Sequence, residues 1–253
     1  MTSAPQPGRP SFCVIIPMFN EESGAQACVT RVTAELRNLG NHAVLVVVND
    51  GSSDATGAVI KRLNSELAEF RVLEHEVNQG YGAALRTGIA FAIESGFDYC
   101  LFMDSDLTND PADLGRFAEE MEKRTDVIKA SRFVQGGGMQ GVPWRRAAVS
   151  RLGNWVASIL FRVGVRDCTN GFRAVKTSIL AQMRLSERGF PIIVEELYQS
   201  VFLAQTFAEI PVTLTDRADT LRSTSFTYDA ATIRKYLGYA LKAFLRVQPG
   251  QHK

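Results

Sequence analysis

The 253-residue sequence is short of several things, and each shortage narrows the function. No apolar run approaches the ~20 residues that a membrane-spanning helix needs. The longest candidate, LGNWVASILFRVGV, is interrupted by Asn154 and Arg162. Charge is nearly balanced, 28 Lys and Arg against 27 Asp and Glu, so no global field points to nucleic acid. There are only three histidines, His42, His75 and His252, and none falls in a strand-end motif. A reaction built on a histidine base is therefore not expected. The four cysteines, Cys13, Cys28, Cys100 and Cys168, form no CxxC pair. Cys13 and Cys100 sit in strand-like runs and are expected to be buried, reduced thiols. The opening MTSAPQPGRP lacks the apolar stretch of a signal peptide, so residues 1–11 are expected to form a disordered leader. All of this is compatible with a cytosolic protein.

What is present is an alternation. Apolar runs at 12–17, 43–50, 70–76, 99–106 and 126–132 are separated by stretches of helical spacing at 21–39, 54–68, 81–95 and 111–124. Strands alternating with helices predict an α/β fold, a mostly parallel Rossmann-like sheet with helices on both faces. The second half is less regular. A Gly-rich loop (135–144) precedes a helix over about 145–163. CTNGFRAV is a turn and short strand, followed by a helix near 192–206 and a strand at 208–216. A polar loop, RADTLRSTSF, leads to a closing amphipathic helix over 228–247. No linker separates two domains, so the second half is expected to complete the first.

In such sheets ligands bind beyond the carboxyl ends of the strands. Here those ends read PMFNEE, NDGSSDAT, NQGYG and MDSDLTNDP. The last places Asp104, Asp106 and Asp110 within seven residues. Two carboxylates at ~4 Å repel by about 4 kcal/mol at an effective dielectric of 20, so a cation, a set of donors or water must relieve them. If the strand ran on, Asp104 and Asp106 would share a face, an arrangement that suits a hard cation such as Mg²⁺ or Mn²⁺. Asp110, before Pro111, is expected to cap the next helix. Asp50 ends a Val-rich strand and is free to accept from a nucleobase or ribose. In GYGAALRTG the third glycine of a dinucleotide fingerprint is replaced by Leu85, so a redox cofactor is not expected. Gly80 and Gly82 would let a ligand approach, with Arg86 as a local cation. A phosphate nucleophile needs no base, its second pKa being ~6. It needs cations, and the second half offers Arg132, Arg145, Arg146, Arg151, Arg173 and Arg217.

Taken in order, VIIPMFNEE, VVNDGSSDAT, NQGYGAALRTG, MDSDLTNDP, ASRF, RRAAVSRLGN, DCTNGFRAV and EIPVTLTDR resemble the family 2 glycosyltransferases of GT-A fold, and within them the dolichol-phosphate mannose synthase group. The resemblance runs from Val14 to about Arg246. It implies a nucleotide-binding half (about 12–134), an acceptor half (about 135–227) and the terminal helix. Pro17, Phe19, Glu21 and Asp50 would line the nucleotide pocket. Asp104, Ser105 and Asp106 would sit at the donor diphosphate, with Asp106 a metal ligand and Asp104 and Thr108 further candidates. Arg132 would support the donor side, and Arg217 would reach the diphosphate from the loop after the last strand. Arg146 and Ser150 would hold the acceptor phosphate. The implied chemistry is metal-dependent, inverting transfer of a hexose from a nucleotide sugar to a polyprenyl phosphate, with Asp104, Asp106 and Arg217 at its centre. GDP-mannose is the first expected donor.

The sequence departs from the family at three points. Thr108 stands where many members carry Gln, TSGFRAY has become TNGFRAV, and the loop after Arg217 has neither Gly nor Lys. A UDP-sugar such as UDP-glucose, or a soluble acceptor, is the alternative. A non-catalytic nucleotide-sugar-binding module is the distant one. A lipid acceptor requires contact with a bilayer, peripherally at the cytoplasmic face. The closing helix, with Ile233, Leu237, Leu241 and Phe244 on one face, is the expected contact, and Trp144 a second anchor. Packing of that helix on its own domain, or recruitment by a membrane partner subunit, are the alternatives.

Overall fold

The computed structural model describes residues 8–40, 42–215 and 230–250. Its frame is a seven-stranded sheet in the order β3-β2-β1-β4-β7-β5-β8. The strands are β1 (Phe12–Met18), β2 (Ala43–Asp50), β3 (Phe70–His75), β4 (Tyr99–Phe102), β5 (Val127–Ser131), β7 (Arg173–Lys176) and β8 (Phe207–Pro211). All pairs are parallel except those of β7, which runs against both β4 and β5. A separate parallel pair joins β6 (Gly138–Met139) to β9 (Thr213–Leu214).

The central strands are apolar on both faces, as a covered parallel sheet requires. Along β1, Phe12, Val14, Ile16 and Met18 enter one core, while Cys13 and Ile15 enter the other. The first core lies under α1 (Ala25–Leu39), α2 (Thr56–Glu66) and α4 (Leu114–Glu122). The second lies under α3 (Tyr81–Glu94), the short α6 (Thr177–Leu180) and α7 (Ile192–Leu203). A third cluster joins α7 to α5 (Trp144–Phe161) and α8 (Ala230–Phe244) through Phe161, Leu197 and Ala240. All four cysteines are buried and free, Cys13 and Cys100 as expected and Cys28 and Cys168 as well. Burial, then the Asp106 charge, pushes the Cys28 thiol up to about 12, so it stays a protonated core group.

Three details differ from the sequence reading. β4 stops at Phe102 and does not run to 106. Its antiparallel partner β7 begins at Arg173, opposite Phe102, and on the other side Met103 N makes one further bond to Ile15 O of β1 before the chain turns away. The leader expected over 1–11 joins the body at its end: Ser11 N and Oγ donate to Asp98, and Arg9 pairs with Glu122. The terminal helix does pack on the domain, through the buried Ala240 and Ala243, yet keeps an exposed apolar face. β7, from the second half of the chain, lies between β4 and β5 from the first. The two halves therefore share one sheet.

Candidate active site

The order of the sheet reverses at β1: β2 and β3 lie on one side of it and β4 on the other. The crevice between the ends of β1 and β4 is thus a topological switch point, where open α/β sheets take their ligands. A cavity of about 770 Å³ opens there. Pro17, Phe19, Glu21, Asp50, Asp104, Ser105, Asp106, Thr108, Arg132, Arg146 and Ser150 all line it. Of the arginines named from the sequence, Arg132 and Arg146 line the cavity while Arg86, Arg145, Arg151 and Arg173 do not; Arg217 lies outside the described residues, as does the loop 217–226.

Asp104 and Asp106 occupy a turn, not the strand expected for them. Leu107 turns the chain with φ +57°, a left-handed conformation costly for a leucine. Its side chain is buried in the first core, which pins the turn and offsets that cost. Asp106 Oδ1 accepts from Thr108 N at 3.1 Å and from Thr108 Oγ1 at 2.8 Å. Thr108 therefore orients Asp106, with its hydroxyl proton turned toward the carboxylate. Asp104 Oδ1 accepts from Tyr81 Oη at 3.1 Å. Burial, then the Asp104 charge, pushes the Tyr81 hydroxyl well above its ordinary value, so it remains a donor. Gly171 closes the other side; a Cβ there would lie 3.2 Å from Asp104 Oδ2.

The donor set of this turn is all oxygen, which fits a hard divalent cation. Among the described residues no three His, Cys, Asp or Glu side chains converge on a metal position. Two carboxylates do not make a cage, so any cation here would complete its oxygen shell from water or a bound ligand. Asp110 caps the following turn, accepting from Ala112 N, as expected.

Asp50 differs from its sequence reading. Oδ1 accepts from His75 Nδ1 at 2.6 Å and Gln79 N at 2.9 Å, and Oδ2 from Gly80 N at 2.8 Å. His75 Nε2 meets Thr87 Oγ1 at 2.8 Å. The carboxylate thus fixes the turn entering α3 at the rim of the cavity. His75 was set aside in the sequence because it belongs to no motif; the signal was its place opposite Asp50 in the β2–β3 register. Gly80 and Gly82 also serve the protein itself. A Cβ on Gly82 would fall 2.1 Å from Glu187 O, and Gly82 N donates to Arg188 O. The loop at 187–188, not a ligand, takes the space they leave. Arg86 likewise donates to Glu187 O at 2.6 Å.

Arg132 forms a two-pronged pair with buried Asp167, at 2.7 and 2.8 Å. Thr169 binds Asn154 of α5 through both N–H and hydroxyl. The turn 167–171 therefore ties the end of β5, helix α5 and Asp104 into one wall. Two polar atoms of cavity-lining residues, Asn109 Oδ1 and Asn170 Nδ2, are buried with no hydrogen-bond partner among the described residues. Such atoms are few in folded proteins and mark places where a partner is expected. Asn109 was not singled out in the sequence; Asn170 is the Asn of TNGFRAV, one of the departures from the family pattern.

Comparison with known proteins agrees with this fold. The profile of glycosyl transferase family 2 matches residues 13–184. Polyprenol monophosphomannose synthase of Mycolicibacterium smegmatis is 30% identical over 212 residues, 81% of this chain and 77% of that protein. Undecaprenyl-phosphate mannosyltransferase of Micrococcus luteus is 28% identical over 206 residues, 80% and 83% of the two chains. Among solved structures, glucosyl-3-phosphoglycerate synthase of Mycobacterium tuberculosis, in complex with Mn²⁺, UDP and glucosyl-3-phosphoglycerate, superposes with a TM-score of 0.69 at 18% identity. That match covers 96% of this chain and 82% of that one. The same enzyme with Mg²⁺ and UDP gives 0.66 at 18% identity, covering 96% and 81%.

Proposed function

The chain belongs to glycosyl transferase family 2 and is a glycosyltransferase of GT-A fold; from that premise we propose that it transfers a hexose from a nucleotide sugar to a polyprenyl phosphate at a membrane surface. Mannose from GDP-mannose is the favoured donor, because two relatives are named for mannosyl transfer to a polyprenol or undecaprenyl phosphate. One observation carries the reading: a single cavity joins Asp104 and Asp106 to Arg146 and Ser150.

The donor's diphosphate lies along the Asp104–Asp106 turn, its nucleoside against Pro17, Phe19 and Glu21. Mg²⁺ or Mn²⁺, when bound, neutralises charge developing on the leaving diphosphate. Asp106, held by Thr108, and Asp104, held by Tyr81, are the residues that would hold it. Arg146 and Ser150 orient the acceptor phosphate, already anionic near neutral pH, for a single in-line displacement that inverts the anomeric carbon. No histidine base takes part. Arg132, fixed by Asp167, keeps the donor side of the wall in place.

The acceptor end is built for a bilayer. Among the described residues no helix is long and apolar enough to cross a membrane. Yet α5 exposes Trp144, Val149, Leu152, Trp155 and Ile159, and α8 with its next residue exposes Ile233, Leu237, Leu241, Phe244 and Leu245. The two helices carry Arg and Lys but no Asp or Glu. An apolar face collared by cations suits an anionic lipid surface. The chain's two tryptophans both lie on α5, 74% and 62% exposed. Vesicles containing phosphatidylglycerol should therefore blue-shift nearly all of the intrinsic fluorescence, and high salt should weaken the shift. An unchanged spectrum at saturating vesicle would refute membrane contact through α5.

The function itself is tested by offering GDP-mannose and UDP-glucose against vesicle-borne polyprenyl phosphate and soluble 3-phosphoglycerate. Sugar should appear on the lipid, with GDP-mannose the better donor. Transfer confined to the soluble acid would replace this reading with the soluble-acceptor one.

A further inference from the structure

A donor diphosphate and an acceptor phosphate together bring several negative charges into the cavity. Among the described residues its own charged lining is Glu21, Asp50, Asp104 and Asp106 against Arg132, Arg146 and Arg188. Asp50 is held by His75 and two backbone N–H groups, and Arg132 is neutralised by Asp167. Arg146 and Arg188 are the lining cations that no carboxylate among the described residues holds. Arg146 has a task at the acceptor phosphate. Arg188 has none, and it belongs to none of the sequence motifs.

The backbone at Arg188 is nevertheless fixed from several sides. Buried Glu195 of α7 accepts from Ser186 N, Ser186 Oγ and Glu187 N. Lys235 and Tyr239 of α8 hold the Glu187 carboxylate, at 2.6 and 3.1 Å. Arg188 O accepts from Gly82 N at the start of α3, and a Cβ on Gly80 would meet that oxygen at 2.6 Å. The same Cβ would lie 3.7 Å from the Arg188 Cβ, so the side chain starts over Gly80, whose N–H binds Asp50. Two residues on, the Phe190 ring stacks on Tyr81 with 4.5 Å between centroids, and Tyr81 donates to Asp104. Arg188 is thus set between Asp50, on the nucleoside side, and Asp104, at the diphosphate. Its side chain is exposed, and the neighbouring Glu187 is spent on α8.

We propose that Arg188 binds the diphosphate of the nucleotide-sugar donor. The inference rests on the nucleotide-sugar reading and adds a residue to it. A guanidinium presents a planar fork of N–H donors that matches phosphate oxygens. Asp104 and Asp106 by themselves repel a diphosphate. A divalent cation offsets those two carboxylates and leaves the diphosphate's own charge to be met. Arg132 is engaged by Asp167, and Arg146 stands on α5 with Ser150. Arg188 is the cation left for the donor. Locking its backbone limits the positions open to the guanidinium, so less freedom is lost when the phosphate binds. The loop before α7 thereby serves the donor directly, besides filling the space that Gly80 and Gly82 leave.

Arg188→Met keeps the stem of the side chain and removes its charge. The position is exposed, so the variant should melt with wild type; Arg188→Gln, shorter and also uncharged, is the second variant. GDP, UDP and their parent nucleosides are titrated in the presence of Mn²⁺, and transfer to vesicle-borne polyprenyl phosphate is followed in parallel. Affinity for whichever diphosphate the wild type binds should fall about tenfold or more in both variants, as when a hydrogen bond to a charged group is lost. The gap should narrow at high salt. Affinity for the parent nucleoside and KM for the acceptor should not change. Arg146→Met should show the opposite split, a raised acceptor KM with nucleoside diphosphate affinity intact. Wild-type affinity for the diphosphate in both Arg188 variants would overturn the proposal. So would an equal loss for the nucleoside, which would place the effect in the shape of the pocket. A raised acceptor KM with donor affinity intact would move Arg188 to the acceptor phosphate and overturn it as well. In each of these cases the wild type still binds a nucleoside diphosphate and only this inference falls. If the wild type binds neither GDP nor UDP, the nucleotide-sugar reading falls and takes the inference with it.

Discussion

Asp106→Ala should reduce sugar transfer by at least about 10²–10³-fold, the loss expected when one preorganised electrostatic group is removed from a developing charge. That is about 2.7–4 kcal/mol of transition-state stabilisation. The fold should hold. Asp106 is half-buried in a turn, and the turn is pinned by Leu107 in the core. Losing the carboxylate leaves Thr108 N and Oγ1 without their acceptor, but Thr108 is only partly buried and water can replace it. Asp106→Asn separates the two roles of the side chain. It keeps an oxygen for Thr108 and loses the charge. If the charge acts on the diphosphate, directly or through a shared cation, Asn should be nearly as damaged as Ala. Wild-type activity should vanish with chelator and return with Mn²⁺, whereas neither variant should recover. Asp106→Asn working within about threefold of wild type would show that the carboxylate only shapes the turn.

How far the site could be foreseen follows from what each residue depends on. β2 was legible from end to end at 43–50, because a strand covered on both faces is a continuous apolar run and its polar end is abrupt. The convergence of Pro17, Asp50 and Asp104 on one edge was legible for the same reason: parallel strands put their carboxyl ends together. The span of β4 was not, because one of its two partners, β7, is some seventy residues away, runs antiparallel and begins only at Arg173, opposite Phe102. Asp50 was placed at the pocket correctly, but its hydrogen-bond partners come from β3 and the turn at 79–80, which only the register reveals. Gly80 and Gly82 announced a close approach without naming what approaches; the loop at 187–188 is remote in sequence. On α8 the apolar spacing was visible. Of the apolar residues on α5 Trp144 alone was named as a membrane anchor, since one face of that helix lines the cavity and another faces outward. Apolar residues on both blur the period by which an amphipathic helix is recognised.

Glu196→Ala should cost the protein about 3–5 kcal/mol of stability, because it strands a charge where water does not reach. Arg173 of β7 is fully buried, and its guanidinium is gripped by both oxygens of Glu196 from α7, each at 2.7 Å. Burial alone would lower the Arg173 pKa; the Glu196 carboxylate outweighs it and the net direction is upward, so the group stays charged. The remaining contacts explain why such a pair lies under this site. Arg173 Nη1 donates to Gly171 O at 2.8 Å, and the guanidinium covers the Phe102 ring at 4.3 Å. Gly171 is the residue packed against Asp104. The ion pair therefore fixes the wall behind the carboxylates from within the sheet. A paired substitution divides its contributions. Arg173→Met with Glu196→Leu removes both charges at similar bulk, and buried pairs exchanged in this way are often neutral or stabilising. The double variant should melt near wild type, whereas Glu196→Ala should melt roughly 10 °C lower. The double variant should nonetheless transfer sugar about tenfold more slowly, since Gly171 loses the donor that holds it and Asp104 its fixed neighbour. Full activity in the double variant would show the pair to be structural alone. A Glu196→Ala protein that melts with wild type would mean that water reaches Arg173 once its partner is gone.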